Sequence, residues 1–418
     1  MESDVPVALD AGSMCPADPP LTVAHDPLAK DRGRCAFSAG ARVLDTLGMD
    51  SAARAGIPID HLVIVMQENR SFDHYLGRMP QNGRPDVDGI PDGYVNLDTG
   101  GRPVVPQHLA STCAPGDPPH QWSSMHVGWN NGLMDGFFRS AVAGGGHGRD
   151  ALGYYEARDL PFYYWLYGTF AMSDRYFAAT LGGTWANRNF LYSGGAYGVH
   201  DTGTATIEGV PTVYDQMDAA NVSWGVYTDG PPRQDTLGWT PGHAGLHGTR
   251  DLFAGLHHGD LPAVVFVDPS GPADEHPVSD IQHGEAWTRG VLTAAMASPL
   301  WPRMAVVVTY DESGGFFDHV PPPEGCVPAP GDEDFDRRGM RVPMVVVSPW
   351  SRPGYVSHVV HDHTSILRLI ELLHDLPALT ARDANADALL DLFDFSCPHF
   401  LRLPAAPPHA GTGGCVTR

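Results

Sequence analysis

Lysine is almost absent from this chain, since Lys30 is the only one among 418 residues. This scarcity leaves little room for a P-loop lysine or for Schiff-base chemistry. Positive charge is scarce in general: 26 Lys and Arg stand against 49 Asp and Glu, a formal net charge of −23. Nucleic-acid binding needs clustered positive charge, and no basic run is present. We therefore expect no nucleic-acid partner and no strong attraction to anionic lipid.

Several familiar motifs are also missing. The chain has neither H-E-x-x-H nor G-x-S-x-G, which argues against zincin and α/β-hydrolase chemistry. No run approaches the about 20 apolar residues that span a bilayer, so we expect no transmembrane segment and at most transient contact with a membrane surface. Met1 to Pro20 lacks the apolar stretch of a secretory signal. We therefore expect a mature form whose signal has been removed.

The number and placement of the cysteines indicate the cellular compartment. They are even in number and none forms a C-x-x-C pair, which argues against structural zinc. An even count with several members near the termini favours disulfides in a secreted or periplasmic protein, whereas the alternative is six scattered thiols in a cytosolic one. We expect at least two disulfides, with Cys397 or Cys415 holding the tail. The six are Cys15, Cys35, Cys113, Cys326, Cys397 and Cys415.

The chain divides into three parts. Residues 1–58 are expected to form an irregular lead-in with one short helix around Ala41 to Leu47, residues 59–403 a single domain, and residues 404–418 an irregular tail. Gly- and Pro-rich stretches at 77–119 and 228–248 predict long loops, which in a compact domain are often functional.

Four short apolar segments without alternation predict buried, central parallel strands covered on both faces. The first three run into polar or acidic residues, and ligands bind beyond the carboxyl ends of strands in open α/β sheets. Apolar residues at helical spacing from Ile366 to Leu373 predict a helix of roughly three turns, with Thr364 and Ser365 as caps. The strands are Leu62 to Gln67, Ala263 to Val267, Met304 to Thr309 and Val342 to Ser348.

Two polar blocks follow predicted strands. Glu68-Asn69 opens the first, and oxygen ligands of these types suit a hard cation. Its alternatives are a turn with a solvated acid, or a glycosylation sequon at Asn69. In the second, Asp311-Glu312 ends an apolar strand, where adjacent acids are costly unless they hold a cation or face water. The alternative there is an exposed acidic turn.

A third block centres on Thr184. Gly182-Gly183 lets backbone N–H groups approach an anion, and a helix beginning near Thr184 would add a favourable dipole. Arg188 could form paired hydrogen bonds with phosphate oxygens. The alternative is a glycine turn before a helix capped by threonine. The 21 histidines include pairs around these blocks, but a histidine near any site is expected by chance.

Together these blocks make the sequence resemble a family of bacterial phosphoesterases. It includes haemolytic and non-haemolytic phospholipases C, plant non-specific phospholipase C and a branch of acid phosphatases. The matching runs occur in family order over roughly residues 60–400. They are His61 to His74, His120-Gln121-Trp122, Asn131-Gly132, Met134 to Phe137, Gly183-Thr184, Asn187-Arg188, Glu275-His276-Pro277, Asp311-Glu312, Gly314 to Phe316, Asp318 to Val320 and His363 to Ser365.

The resemblance implies an α/β, alkaline-phosphatase-like three-layer sandwich, with a mostly parallel central sheet and long loops over the strand C-termini. It also implies a divalent metal ion of unknown identity. The metal ligands it implies are Glu68, Asn69, Asp311 and Glu312; the catalytic residues are Thr184, His120 and His276. The roles of His126, His319 and His363 stay open, as does that of Asp362, where glutamate is expected.

The activity implied is hydrolysis of phosphodiesters, foremost phosphatidylcholine-like lipids, through a phosphothreonine intermediate. Asn187 and Arg188 are expected to bind substrate, and Trp122 and Trp185 could enclose a quaternary ammonium headgroup, although core packing is the ordinary role of tryptophan. One alternative is an acid phosphatase of the same family that acts on small phosphate esters. Another is a non-catalytic binding protein on this fold.

Overall fold

A mixed sheet runs through the centre of the molecule. The computed structural model describes residues 26–114, 116–203, 206–239, 242–402, 404–407 and 415. Its strands are β1 His61–Gln67, β2 Asn96–Leu97, β3 Pro103–Val104, β4 Gln107–His108, β5 Gly153–Tyr154, β6 Ala171–Ser173, β7 Trp224–Tyr227, β8 Leu246–His247, β9 Val264–Val267, β10 Met304–Tyr310, β11 Met344–Val347 and β12 Val356–Ser357.

Eight of these strands form the main sheet in the order β12-β6-β11-β10-β1-β9-β7-β8. All pairings are parallel except those of β11, which is antiparallel to both β10 and β6. The predicted segments coincide with β1, β9, β10 and β11, but the prediction that the fourth is parallel was wrong. Because β11 is buried along its whole length, its composition does not distinguish it from a parallel strand.

Helices flank the sheet. They are α1 Ala29–Arg32, α2 Val43–Leu47, α3 Ser51–Ala55, α4 Phe72–Leu76, α5 Trp122–Trp129, α6 Phe137–Ala143, α7 Pro161–Thr169, α8 Thr184–Ser193, α9 Val213–Ala219, α10 Thr249–His258, α11 Ile281–Met296, α12 His363–His374 and α13 Ala381–Ala384. None of the described helices is both long and apolar enough to cross a bilayer.

The helices lie on both faces of the sheet. Along β1 the side chains of Gln67 and Ile64 point to opposite faces, because side chains alternate along a strand. Gln67 donates from Nε2 to the hydroxyl of Thr288 on α11 at 2.8 Å. Ile64 pairs with Phe266 of β9, whose ring lies 5.1 Å from that of Tyr214 on α9. The predicted three-layer α/β architecture with a mostly parallel sheet is confirmed.

The C-terminal helix begins earlier than expected. Asp362 is the N-cap of α12, and its side chain accepts a hydrogen bond from the backbone N–H of Thr364 at 2.8 Å. Thr364 and Ser365 therefore lie inside the helix. Ser365 still completes a capping box, because its hydroxyl accepts from the N–H of Asp362 at 3.2 Å, whereas the prediction of Thr364 as a cap was wrong. Asp362 is also fixed by Arg338 and Arg382, at 2.7 and 3.3 Å. Two positive partners lower the pKa of its carboxyl despite burial.

Two disulfides connect distant parts of the chain. Cys35 is joined to Cys326 and Cys113 to Cys415, and Cys397 is also disulfide-bonded. The prediction of at least two disulfides is confirmed. Residues 1–25 of the predicted lead-in, and the tail except 404–407 and Cys415, lie outside the described residues. Where it is described, the lead-in holds three short helices rather than one.

Candidate active site

The register of the sheet brings the strand-end acids together. β1 lies between β9 and β10, with Gln67 opposite Tyr310 and Val65 opposite Val267. Three polar segments therefore leave the same edge of the sheet, as parallel strands require. They are Glu68-Asn69 after β1, Asp268 after β9 and Asp311-Glu312 after β10.

Backbone contacts connect the first and third segments. The backbone N–H of Asn69 donates to Oδ1 of Asp311 at 3.2 Å, and that of Arg70 donates to the carbonyl of Glu312 at 3.0 Å. Asn69 has a φ of 64°, an uncommon backbone conformation that asparagine tolerates. Gly314 packs against it so closely that a Cβ would lie 2.3 Å from the Asn69 carbonyl oxygen. The positions of these residues are thus fixed by the backbone.

Burial settles one alternative left open by the sequence. The side chain of Asn69 is fully buried, so a glycan on this asparagine is incompatible with the folded protein. The acids of the two segments are buried as well, which excludes the exposed acidic turn.

Arg188 reaches the acids from α8. Its buried guanidinium donates to carboxylates from all three strand ends, at 2.6 Å to Asp268, 3.1 Å to Asp311 and 3.5 Å to Glu68. The carboxylates outweigh burial and raise the pKa of Arg188, so it stays charged. The side chain predicted to bind phosphate is thus directed at carboxylates in this structure.

A second arginine was missed by the sequence analysis. Arg233 lies on a 3₁₀ turn of the 228–248 loop, with Nη2 2.5 Å from Oε1 of Glu68 and 3.6 Å from Oδ2 of Asp274. Burial and the charge of Asp311 raise the pKa of Glu68 to about 7 against the pull of both arginines. No sequence signal pointed to Arg233, because loop contacts of this kind leave no periodicity.

The excess of carboxylates at this edge favours the binding of a cation. Within the described residues, five carboxylates at this edge form ion pairs with two guanidiniums, those of Arg188 and Arg233, or lie beside acids that do. The five are Glu68, Asp268, Asp274, Asp311 and Glu312. Among the described residues, two buried oxygens here have no hydrogen-bond donor: Oδ1 of Asn69 and Oε1 of Glu312. Burial and the adjacent Asp311 raise the pKa of Glu312. Unpaired buried oxygens and excess negative charge are what a hard cation requires, so the residues fit a divalent metal.

Thr184 is the first residue of α8. No side chain among the described residues caps this helix, so its first N–H groups are available to an anion. The Thr184 hydroxyl has no hydrogen-bond partner within the described part of the chain. Thr184 lies one turn before Arg188, about 6 Å along the same helix face. The helix that carries Arg188 into the acids thus presents Thr184 near them.

Asn187 holds the turn before Thr184. Its Nδ2 donates to the carbonyls of Gly182 and Gly183 at 2.8 and 3.1 Å, and its Oδ1 accepts from the N–H of Thr180 at 2.9 Å. These hydrogen bonds fix the shape of the turn. The structure therefore gives Asn187 a part in positioning Thr184; its predicted contact with substrate stays a prediction.

Two histidines face each other beside the acids. The rings of His120 and His276 are 6.0 Å apart, and Nε2 of His120 lies 3.4 Å from Nδ2 of Asn69 and 3.9 Å from Oε1 of Glu312. In both histidines Nδ1 is bonded to a backbone carbonyl, of Pro118 and of Pro277. That contact assigns the proton of the neutral ring to Nδ1. Nε2 is then the acceptor nitrogen of each ring, and in His120 it accepts from the amide of Asn69.

The segment before His276 is anchored by a buried acid. The carboxylate of Glu275 accepts hydrogen bonds from the hydroxyls of Tyr75 and Tyr310, each at 2.7 Å, and from that of Tyr163. Arg70 donates to its carbonyl oxygen at 2.9 Å. Burial raises the pKa of Glu275 to about 7 against these hydrogen bonds. Glu275 thus ties the His276 segment to the strand-end segments.

The three histidines whose roles the sequence leaves open have partners within the fold. His363 is buried and binds the carbonyl of Asp311 through Nε2 at 2.6 Å, so it positions the second acidic segment. His319 contacts Asp73 at 2.7 Å, and His126 contacts the carbonyl of Trp122 within α5 at 2.7 Å.

The two predicted substrate tryptophans differ. The ring of Trp122 lies 4.3 Å from that of His200 and 5.3 Å from that of Phe335, and packs on a small apolar cluster with α8 residues. Trp185 is half-buried. The substrate role of both tryptophans stays a prediction.

Most of the chain matches a known protein family. The family model named Phosphoesterase family matches residues 59–377. The chain belongs to the Phosphoesterase family. It is therefore a hydrolase that acts on phosphoric ester bonds, and the alternative of a non-catalytic binding protein is set aside.

Relatives of this phosphoesterase are phospholipases C. Phospholipase C B of Mycobacterium tuberculosis is 32% identical over 81% of the chain and 78% of its own length. Non-specific phospholipase C6 of Arabidopsis thaliana is 30% identical over 85% of the chain and 76% of its length. Non-hemolytic phospholipase C of Pseudomonas aeruginosa is 30% identical over 84% of the chain and 59% of its length.

Solved structures similar to the phosphoesterase include a protein of the alkaline phosphatase superfamily from Vibrio parahaemolyticus, with a TM-score of 0.39, 11% identity and coverage of 79% and 69% of the two chains. The lipoteichoic acid synthase LtaP from Listeria monocytogenes gives a TM-score of 0.41 at 9% identity, covering 86% and 82%.

Proposed function

We propose that this phosphoesterase is a metal-dependent phospholipase C that cleaves phosphatidylcholine-like phosphodiesters with Thr184 as its nucleophile. The observation that carries the proposal is the uncapped start of α8. There an unbonded hydroxyl stands one turn from an arginine that contacts the acids of three strand ends. A nucleophile, an anion site and a cation site are thus adjacent.

Glu68, Asn69, Asp311 and Glu312 would hold the divalent cation. When bound, the cation would supply positive charge for the phosphoryl oxygens and favour ionisation of a nearby hydroxyl. The N–H groups at the start of α8 would bind a non-bridging phosphate oxygen. Because these donors are fixed before substrate arrives, they can stabilise the charge that develops in the transition state.

The bond changes follow from this arrangement. Thr184 Oγ1 attacks phosphorus, a P–O bond to Thr184 forms, and the P–O bond to the diacylglycerol oxygen breaks. His120 and His276 carry the protons through Nε2, because the Nδ1 of each is held by a backbone carbonyl. One ring begins neutral and takes the Thr184 proton, while the other begins protonated on both nitrogens and gives its Nε2 proton to the leaving oxygen. Water then displaces Thr184 from phosphorus, which releases phosphocholine and regenerates the hydroxyl.

The relatives support a diester substrate, since those compared above are all named phospholipases C. We also propose that the protein acts in a secreted or periplasmic location. Disulfides between Cys35 and Cys326, and between Cys113 and Cys415, support an oxidising compartment.

Two chromogenic substrates test the reaction class. We expect p-nitrophenylphosphorylcholine to be hydrolysed faster than p-nitrophenyl phosphate, with activity lost in chelator and restored by a divalent metal. Hydrolysis of the monoester alone would identify an acid phosphatase and overturn the diester proposal. Full activity after exhaustive chelation would overturn metal dependence.

Thr184→Ala tests the nucleophile. The variant should fold and bind metal but lose on the order of a thousandfold in rate, as removal of a nucleophile does elsewhere. Thr184→Ser is the matched control and should keep much of the activity, because the oxygen survives. Acid quench during turnover followed by mass spectrometry should find phosphocholine on the Thr184 peptide. Near wild-type turnover by Thr184→Ala would mean that water attacks phosphorus directly.

A further inference from the structure

Exposed apolar side chains are concentrated beside the active site. Leu133 is 68% exposed, Val127 44% and Val142 38%. All three lie on the hairpin of α5 and α6. Val278, 56% exposed, follows His276 by two residues. These four make up most of the seven large apolar side chains that are exposed in the described residues. We call Val127, Leu133, Val142 and Val278 the apolar rim.

The rim lies over the candidate active site. Beneath α5, Met125 is buried, and its sulfur accepts a hydrogen bond from Ser313, the residue after Glu312, at 3.8 Å. Pro119, just before α5, lies so close to Gly315 that a Cβ there would be 2.6 Å from the Pro119 carbonyl oxygen. One side of the hairpin thus covers the acidic segment while its apolar side chains face solvent.

Val278 is linked to the hairpin of α5 and α6 through His120 and His276. His120 lies two residues before α5, and its ring is 6.0 Å from that of His276, two residues before Val278. Both segments that carry rim residues therefore begin at the histidine pair. Scattered exposed apolar side chains are ordinary, but a group beside a site marks an interaction surface.

The hairpin is also electrically neutral. Between Asp117 and Arg149 the only Asp, Glu, Lys or Arg residues are Asp135 and Arg139, which pair with each other at 3.3 Å. A neutral stretch of this length stands out in a chain with a net charge of −23. The rest of the surface repels anionic membranes, whereas this part can approach a neutral one without a charge penalty.

We propose that the apolar rim docks this phosphoesterase on zwitterionic phospholipid bilayers. This inference rests on the proposed phosphodiesterase function, because docking here would bring headgroups to the histidine pair. Leu133, Val127 and Val142 would enter the interface with their apolar ends, while the paired Asp135 and Arg139 stay among the headgroups. Each leucine or valine withdrawn from water should strengthen membrane binding by about tenfold to a hundredfold.

The experiment compares two Leu→Asp variants. Leu133→Asp alters the rim. Leu401→Asp is the matched control, because Leu401 is also exposed, at 37%. It follows Phe400, whose carbonyl accepts from Trp301 just before β10 begins, at the opposite edge of the sheet. Sedimentation with phosphatidylcholine vesicles measures binding, and hydrolysis is measured on vesicles and on soluble p-nitrophenylphosphorylcholine.

We expect Leu133→Asp to lose at least tenfold in vesicle binding and in vesicle hydrolysis, with hydrolysis of the soluble substrate within about twofold of wild type. Leu401→Asp should match wild type in all three assays. Equal vesicle binding by both variants would overturn the proposal, and so would a wild-type protein that hydrolyses the soluble substrate but binds no phosphatidylcholine vesicle. Binding that requires anionic lipid would also overturn it. A protein that binds vesicles through Leu133 yet hydrolyses neither substrate would instead refute the proposed function.

Discussion

Replacing Glu312 by glutamine should stabilise the metal-free protein. The carboxylate is fully buried; its Oε2 accepts from the N–H of Gly314 at 2.7 Å, whereas Oε1 has no donor among the described residues. The adjacent Asp311 carboxylate adds repulsion. An unsatisfied buried group of this kind costs about 1–3 kcal/mol. Glutamine keeps the oxygen for Gly314, removes the charge and puts an N–H₂ group in place of Oε1, which lies 3.9 Å from the acceptor Nε2 of His120.

The effect should reverse with metal. Urea unfolding in chelator should give Glu312→Gln a free energy of unfolding about 1–3 kcal/mol above wild type, with an unchanged slope. At a metal concentration of 100 times the dissociation constant, wild type should gain about 2.7 kcal/mol. The variant should gain little, since it lacks a charged ligand. The order of stability should therefore invert on adding metal.

Glu371→Gln is the control for a buried glutamate away from the strand ends. Glu371 on α12 also has a buried Oε1 without a hydrogen-bond partner among the described residues, but its Oε2 pairs with Arg368 at 2.6 Å. Its replacement should destabilise the protein equally with and without metal, because it leaves a buried arginine without its partner. If Glu312→Gln is less stable than wild type in chelator, the unpaired carboxylate oxygen does not lower the free energy of unfolding of the metal-free protein. The reasoning that links its burial to a cation would then be refuted.

Two further predictions concern the scaffold. Burial opposes the charge of His319, but Asp73 and Asp88 raise its pKa to about 9, from about 6.5 when unfolded. Its contribution, at most about 3 kcal/mol, should be complete below pH 6.5 and disappear as the pH rises through 9. Urea unfolding over this range should show a steeper alkaline loss in wild type than in His319→Gln, and parallel curves would contradict the assignment. Thiol titration of the unfolded, unreduced protein should find the four cysteines of the two disulfides unreactive, and free thiols there would remove the argument for secretion.

The central strands could be predicted because burial on both faces leaves a continuous apolar run. β1, β9 and β10 have this property. The outer strands could not be predicted: β12 and β8 have only two residues each, too few to show any period. The direction of β11 is set by its pairing with β10 and β6. Because these strands are distant in the sequence, the residues of β11 alone do not reveal its direction.

Site residues that directly follow a strand in the sequence, such as Glu68 and Asp311, were predicted. Site residues that lie on loops were missed. Arg233 approaches Glu68 from the 228–248 stretch, which was recognised as a long loop but without a role for any residue. Glu275 was part of a recognised motif, yet its three tyrosine partners come from separate elements, and no spacing within one segment reveals them.

Backbone contacts between segments explain why these distant blocks act together. The N–H of Glu68 donates to the carbonyl of Asp274 at 2.9 Å, and that of Arg70 to the carbonyl of Glu312. The Arg70 side chain holds the carbonyl of Glu275. The segments after β1, β9 and β10 are therefore connected by contacts that do not depend on the charges of the acids. Because of this, the acids can remain crowded without distorting the sheet. Carboxylate replacements should accordingly change metal binding and stability while the fold is kept.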